Sequence, residues 1–154
     1  MIRDIRPEER ELFLTLCHEF YHSPAVSHPV PDQNFDQTFT LAIEGSPYVR
    51  VLLLLADETP AGFAILSLTH SNEAGGLCVL IEDLMVKSEF RGKGLGSEFF
   101  HFLEESYPHA ARFRLEVMAD NEGAIRLYER QGFVSITYRQ MIKERSAPAE
   151  KEHH

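Results

Sequence analysis

Ile81-Glu82-Asp83-Leu84-Met85-Val86 is followed, four residues on, by Arg91-Gly92-Lys93-Gly94-Leu95-Gly96-Ser97. The first block ends an apolar run from Leu77 that reads as a strand. The second opens a helix whose apolar positions are Phe99, Phe102 and Leu103. A strand, a glycine loop and a helix in that order suit an anion. Glycines let the backbone turn tightly with its N–H groups outward, and the helix N-terminus adds positive potential. Arg91 and Lys93 supply charge-assisted bonds to phosphate oxygens. The Walker spacing G-x-x-x-x-G-K-[ST] is absent, and the dinucleotide spacing G-x-G-x-x-G is one residue too long. A glycine-rich helix start that holds no ligand is the competing reading.

Outward from this block, a three-strand meander precedes the loop. Val49 to Ala56 is apolar enough for a buried strand, Gly62 to Thr69 is the second and Leu77 to Val86 the third. Upstream lie a short strand, Ile2 to Ile5, and a helix opened by Pro7 with a stripe of Leu12, Phe13, Leu16, Cys17 and Phe20. Ser23 to Pro31 holds three prolines and must be a loop. Asp32 is placed to cap a second helix whose core face is Phe35, Phe39, Ala42 and Ile43. Downstream come a strand from Phe113 to Val117, a short helix from Glu122 to Arg130 and a last strand from Phe133 to Ile142. Residues 1–143 form one domain, and the polar residues 144–154 are expected to be a disordered tail.

Composition narrows the classes. The chain has 154 residues with 44% hydrophobic and 25% charged, which excludes collagen-like, disordered and disulfide-scaffold proteins. No apolar run approaches a membrane span, and MIRDIRPEER lacks an apolar signal region, so a cytoplasmic location is expected. The net charge is −9, and the first ninety residues hold the whole acidic excess. That opposes nucleic-acid and anionic-membrane partners, and it favours a cationic partner for the N-terminal half. Cys17 and Cys78 sit in apolar surroundings and read as buried thiols.

Arg91-x-x-Gly94-x-Gly96 after the Ile81–Val86 strand resembles the coenzyme A loop of the GCN5-related N-acetyltransferase (GNAT) superfamily. Asn121-x-x-Ala124-x-x-Leu127-Tyr128-x-x-x-Gly132-Phe133 is similar to that family's second motif, at the expected distance. The resemblance runs from residue 2 to about residue 142, and Leu80 to Ser97 is most similar to the polyamine acetyltransferases. It implies an α/β (α+β) fold, a mixed and mostly antiparallel sheet of six to seven strands flanked by about four helices. It also implies an acetyl-CoA-dependent N-acetyltransferase with no metal.

Residue by residue, the resemblance places the backbone of Leu84, Met85 and Val86 on pantetheine, with the N–H of Leu84 or Met85 polarising the thioester carbonyl. Arg91, Gly92, Lys93, Gly94, Leu95, Gly96 and Ser97 would hold the pyrophosphate, and Asn121 would contact pantetheine. Tyr128 matches the acid that protonates the leaving thiolate, and core packing is its plainer alternative. Glu82 matches the base that relieves the acceptor ammonium of its proton. A period-two strand turns Glu82 and Asp83 to opposite faces, so one of them faces the cleft unless a bulge resets the register.

His22 and His28 flank the proline loop and are candidates for touching substrate, although solvated loop histidines are commoner. His101 and His109 read as surface. Tyr21 and Phe35 are expected to pack the core and are secondary candidates for the acceptor pocket, and Glu73 reads as a turn residue that is also placed to meet an amine. The expected acceptor is a small cationic primary amine. A protein or peptide acceptor and a non-catalytic acyl-CoA sensor are the alternatives. A homodimer is an open possibility within the family, though no segment declares an interface.

Overall fold

The computed structural model describes residues 1–26 and 30–145. One five-stranded sheet runs β1 (Ile2–Asp4), β2 (Val49–Ala56), β3 (Thr59–Ser71), β4 (Gly76–Val86) and β5 (Arg112–Leu115), in chain order across the sheet. The first three pairings are antiparallel and β4–β5 is parallel. Helices α1 (Arg10–Tyr21) and α2 (Asp32–Ile43) cover one face, while α3 (Leu95–Ser106) and α4 (Glu122–Arg130) cover the other. The parallel pairing follows from α3, which is the crossover that carries the chain from β4 to β5.

The period of two explains why β2 reads as an unbroken apolar run. Val51, Leu53 and Leu55 join Phe13, Leu16, Phe35 and Phe39 on the α1/α2 face. Leu52 and Leu54 join Phe99, Phe100 and Leu103 on the α3/α4 face. A strand covered on both faces has no polar side to show. Fully burying each of these side chains stabilises the fold by roughly 1.5–3 kcal/mol, offset by chain entropy.

Three expectations are corrected. The described residues form five strands, not six or seven. The last strand, expected at Phe133 to Ile142, makes no ladder pairing. Phe133 is anchored against Phe100 and Tyr128, but Val134, Ile136, Tyr138, Met141 and Ile142 are exposed. Alternation marks extended backbone, but a strand also needs a partner edge. β5 is only four residues long. Asp32 is the first residue of α2, with Pro31 at its N-cap. Ser27, His28 and Pro29 lie outside the described residues, as do residues 146–154 of the expected tail.

Candidate active site

The functional site begins where the sheet comes apart. β4 and β5 pair from Cys78–Arg112 to Ile81–Leu115 and then diverge. Beyond that point β4 continues to Val86 against β3 alone, through Leu84–Ala64, Met85–Phe63 and Val86–Gly62. Its other edge is open. The Lys87 N–H donates to the Ala61 carbonyl at 2.7 Å, toward β3. Alternation therefore turns the N–H and C=O groups of Val86 and Leu84 to the open edge and those of Met85 to β3. The Met85 side chain is buried in the α1/α2 core.

A cleft of about 310 Å³ fills the divergence. Leu80 to Leu84 form one wall, Leu115 to Met118 with Asn121 and Tyr128 the other, and Phe20, Tyr21, Ala25 and Val26 close one end.

A register shift in β4 decides which side chains face it. Ile65 lies opposite Asp83 and Leu66 opposite Ile81, so Glu82 is an extra, bulged residue. The bulge resets the alternation. Glu82 accepts from the Ser67 hydroxyl at 3.0 Å, and Asp83 accepts from the Tyr21 hydroxyl at 2.5 Å. Both carboxylates line the same cleft. Glu82 is exposed, whereas burial, with the Glu82 charge beside it, pushes the Asp83 carboxyl up to about 6 against the opposing Tyr21 bond. Burial likewise raises Tyr21, reinforced by the Asp83 charge.

At the other end lies the glycine loop. Gly92 and Gly94 have φ of +73° and +87°, and nothing lies within 4 Å of where a Cβ would stand at either. These two glycines are there for backbone conformation and open approach. Gly96 differs, because a Cβ there would sit 2.7 Å from Leu127 Cδ2. It lets α3 and α4 pack closely. The first α3 bond runs from the Glu98 N–H to the Gly94 carbonyl at 2.9 Å, which leaves the N–H groups of Leu95, Gly96 and Ser97 uncommitted by the helix. The Leu95 side chain is buried. Arg91 Nε donates to the Val86 carbonyl at 2.9 Å, which ties the loop to the end of β4. Lys93 Nζ stands 5.8 Å from the Phe90 ring centroid, and the Ser97 hydroxyl accepts from Gln131 at 3.3 Å. The loop, the helix start and the open β4 edge together form a continuous donor-rich track into the cleft.

Tyr128 and Asn121 come from α4 and its cap. The Asn121 carboxamide oxygen accepts from the Ala124 N–H at 3.3 Å and so starts the helix. Its NH₂ group remains available on the cleft wall. The Tyr128 ring packs against Phe100 and Phe133, and its phenol is raised by burial alone. Among the described residues no buried side-chain oxygen lacks a hydrogen bond, none of the side chains pairs with the Tyr128 hydroxyl, and Tyr128 lines the cleft. Packing and chemistry are thus compatible in this residue.

The weaker candidates separate cleanly. His22 is exposed, bonds the His18 carbonyl at 2.7 Å and stacks on His18. His28 lies outside the described residues. His101 pairs with Glu105 on the outside of α3, and His109 is exposed. Glu73 is held by Arg112 and Tyr138, away from the cleft. Phe35 is core, as expected. Tyr21 does both: its ring packs against the α1/α2 core, as expected, and it lines the cleft. Glu116, Val117 and Met118 also line it with no local sequence signal, because their role arises only from the strand divergence. Among the described residues no group of three or more His, Cys, Asp or Glu is arranged to hold a metal ion, and no helix is long and apolar enough to cross a membrane.

Comparison with known proteins bears on this geometry. No curated protein matches the chain. A possible acetyltransferase from Clostridium difficile 630 superposes with a TM-score of 0.79 at 14% identity, covering 96% of this chain and 98% of that one. The aminoglycoside acetyltransferase AAC(6')-Iy, solved with a bisubstrate analogue of coenzyme A and acetylneamine, gives 0.77 at 15% identity, covering 95% and 98%. A ribosomal-protein-alanine N-acetyltransferase from Brucella melitensis gives 0.76 at 16%, covering 94% and 98%. At these identities the likeness is one of fold. The model of the acetyltransferase (GNAT) family matches residues 11–133, from α1 through the glycine loop to Phe133. The chain belongs to the acetyltransferase (GNAT) family and is by that membership an N-acetyltransferase.

Proposed function

We propose that the protein transfers the acetyl group of acetyl-CoA to a small cationic primary amine. The observation that carries the acceptor class is the cleft's charge. Among the described residues, Glu82, Asp83 and Glu116 line it and no Lys, Arg or His does. Such a wall attracts an ammonium and repels a carboxylate. The similarity of Leu80 to Ser97 to polyamine acetyltransferases supports an aliphatic amine.

The donor-rich track fits acetyl-CoA. The pyrophosphate would lie on the N–H groups of residues 92–97, with Arg91 and Lys93 supplying charge. Pantetheine would extend the sheet along the open edge of Leu84 and Val86, with Asn121 opposite. The N–H of Leu84 is then the donor aimed at the thioester oxygen, where negative charge develops during attack.

Three proton transfers complete the reaction. The acceptor ammonium loses a proton, and Glu82 takes it through water. The neutral amine attacks the thioester carbon, a C–N bond forms, and the C–S bond breaks. Tyr128, a phenol held protonated by burial, gives its proton to the leaving thiolate. The nitrogen sheds its second proton as the tetrahedral intermediate collapses, and that proton returns through water to the Tyr128 phenolate, so the amide, the thiol and the phenol all end uncharged.

The test is thiol release from acetyl-CoA with polyamines, amino acids, aminoglycosides and short peptides as acceptors. Turnover on small cationic amines supports the reading. Turnover on peptides alone moves the acceptor to protein, and acetyl-CoA binding without release on any acceptor leaves a sensor.

A further inference from the structure

Glu82 is placed for a base but is not held by charge. It is the extra residue of the β4 bulge and is exposed. None of the ion pairs among the described residues includes it. A glutamate has several side-chain torsions, and ordering it in one rotamer is costly. A base is effective only when its oxygen is aimed at the proton it takes. Some other group has to aim this carboxylate.

Ser67 is in position to do so. Its hydroxyl donates to Glu82 Oε1 at 3.0 Å, and among the described residues no other side chain bonds Glu82. The sheet dictates this contact. Ser67 lies opposite Val49 on one side and Leu80 on the other, so its backbone is fixed between two strands. Glu82 is two residues beyond Leu80, a diagonal neighbour that a long side chain can bring within reach. The face is fixed as well. Phe63 and Ile65 precede Ser67 at a period of two and pack toward α1 and α2. Asp83 is tied to Tyr21 of α1 on that same side. The bulge thus turns both carboxylates to one face, and each has its own hydroxyl donor.

The kind of donor matters. An arginine or lysine here would also orient the carboxylate, but its full charge would hold the ionised form more firmly against proton uptake. A neutral hydroxyl gives one hydrogen bond and no net charge. It occupies Oε1 and leaves Oε2 to take the proton. Ser67 itself stands on β3, outside the residues that line the cleft, so it acts through Glu82.

We propose that Ser67 is the positioning residue of the base, its hydroxyl holding Glu82 Oε1 so that Oε2 meets the proton shed by the acceptor ammonium. Ser67 neither gains nor loses a proton in the cycle. The inference rests on the acetyl-transfer reading above, with Glu82 as base, and adds the residue that sets the base's geometry.

The experiment measures thiol release from acetyl-CoA with spermidine as acceptor, or with a short peptide where spermidine releases no CoA. It compares the wild type, Ser67→Ala, Ser67→Thr, Glu82→Gln and the double variant Ser67→Ala/Glu82→Gln. Ser67→Ala should lower kcat about tenfold, as for loss of one hydrogen bond to a charged group. Its KM for acetyl-CoA and its melting temperature should change little. Ser67→Thr keeps the hydroxyl and should recover most of the loss. Glu82→Gln should lower kcat by about a hundredfold or more, and the double variant should be no slower than Glu82→Gln alone. Undiminished kcat in Ser67→Ala, or a double variant slowed by the full product of the two single effects, overturns the proposal and leaves acetyl transfer with Glu82 as base standing. Undiminished turnover by Glu82→Gln removes the base assignment and the role of Ser67 with it. No CoA release from the wild type with either acceptor overturns the acetyl-transfer reading itself. Should Ser67→Ala fail to fold, Ser67→Cys, which is close in size and donates only weakly, carries the same comparison.

Discussion

The Tyr21 hydroxyl and Asp83 Oδ2 meet at 2.5 Å although 62 residues separate them in the chain. The contact joins the last residue of α1 to the residue after the β4 bulge. It closes one end of the cleft whose opposite wall carries Tyr128. The α1/α2 layer therefore contributes to the site as well as covering the sheet.

Asp83 also ties stability to pH. Its carboxyl is raised from an ordinary 3.8 to about 6, chiefly by burial. The folded state thus holds the proton more tightly than the unfolded chain. The stability this gives is complete below pH 4 and is lost as pH rises through about 6. Asp83→Asn keeps an acceptor for Tyr21 and removes the charge. Its melting temperature relative to wild type should therefore be higher at pH 7.5 than at pH 4.5, by on the order of 1–2 kcal/mol in stability after solvent screening. A difference that is flat with pH, measured by thermal denaturation, would show that Asp83 does not titrate in this range.

Tyr128→Phe should lower kcat by roughly a hundredfold, the scale of a single proton transfer. Its ring contacts with Phe100 and Phe133 remain, so the dissociation constant for acetyl-CoA and the melting temperature should change little. Undiminished turnover would remove the phenol from the chemistry.

Gly94 and Gly96 should respond differently to substitution. Gly96→Ala sets a methyl 2.7 Å from Leu127 and should destabilise the protein by about 1–3 kcal/mol as α3 and α4 move apart. Gly94→Ala meets no neighbour but is strained at φ +87°, at a cost of about 1–2 kcal/mol. Combining Gly96→Ala with Leu127→Ala should recover much of the loss from overpacking, and Gly94→Ala should gain nothing from the same partner. Thermal denaturation of the four variants checks both statements.

Arg91→Ala removes the tie from the loop to the Val86 carbonyl and a charge from the track proposed to hold the pyrophosphate. Acetyl-CoA should bind about tenfold or more weakly, from loss of one charge-assisted contact. The remaining affinity should fall less steeply with added salt than that of wild type. Equilibrium titration of CoA at two ionic strengths measures both effects.

Much of this protein is legible in its amino-acid order. Apolar periodicity marks the helices and an unbroken apolar run marks β2, because burial on one helix face or on both faces of a strand is written within a few residues. The spacing of Arg91, Gly94 and Gly96 marks the loop, because a tight left-handed turn needs glycine at Gly94 and close packing of α3 on α4 needs it at Gly96. The pair Asn121 and Tyr128 is local to one helix. What tertiary structure alone decided is relational. Residues 134–142 alternate like a strand but have no partner edge, and alternation cannot report pairing. Whether Glu82 or Asp83 faces the cleft turned on a one-residue shift against β3, which is set by packing across strands. Beyond its core packing, Tyr21 gains its place in the cleft from a partner 62 residues away, and Glu116 to Met118 became a wall only where β5 parts from β4. Short-range physics is written in neighbouring residues, whereas a site formed by divergence and bulging exists only once distant segments have packed.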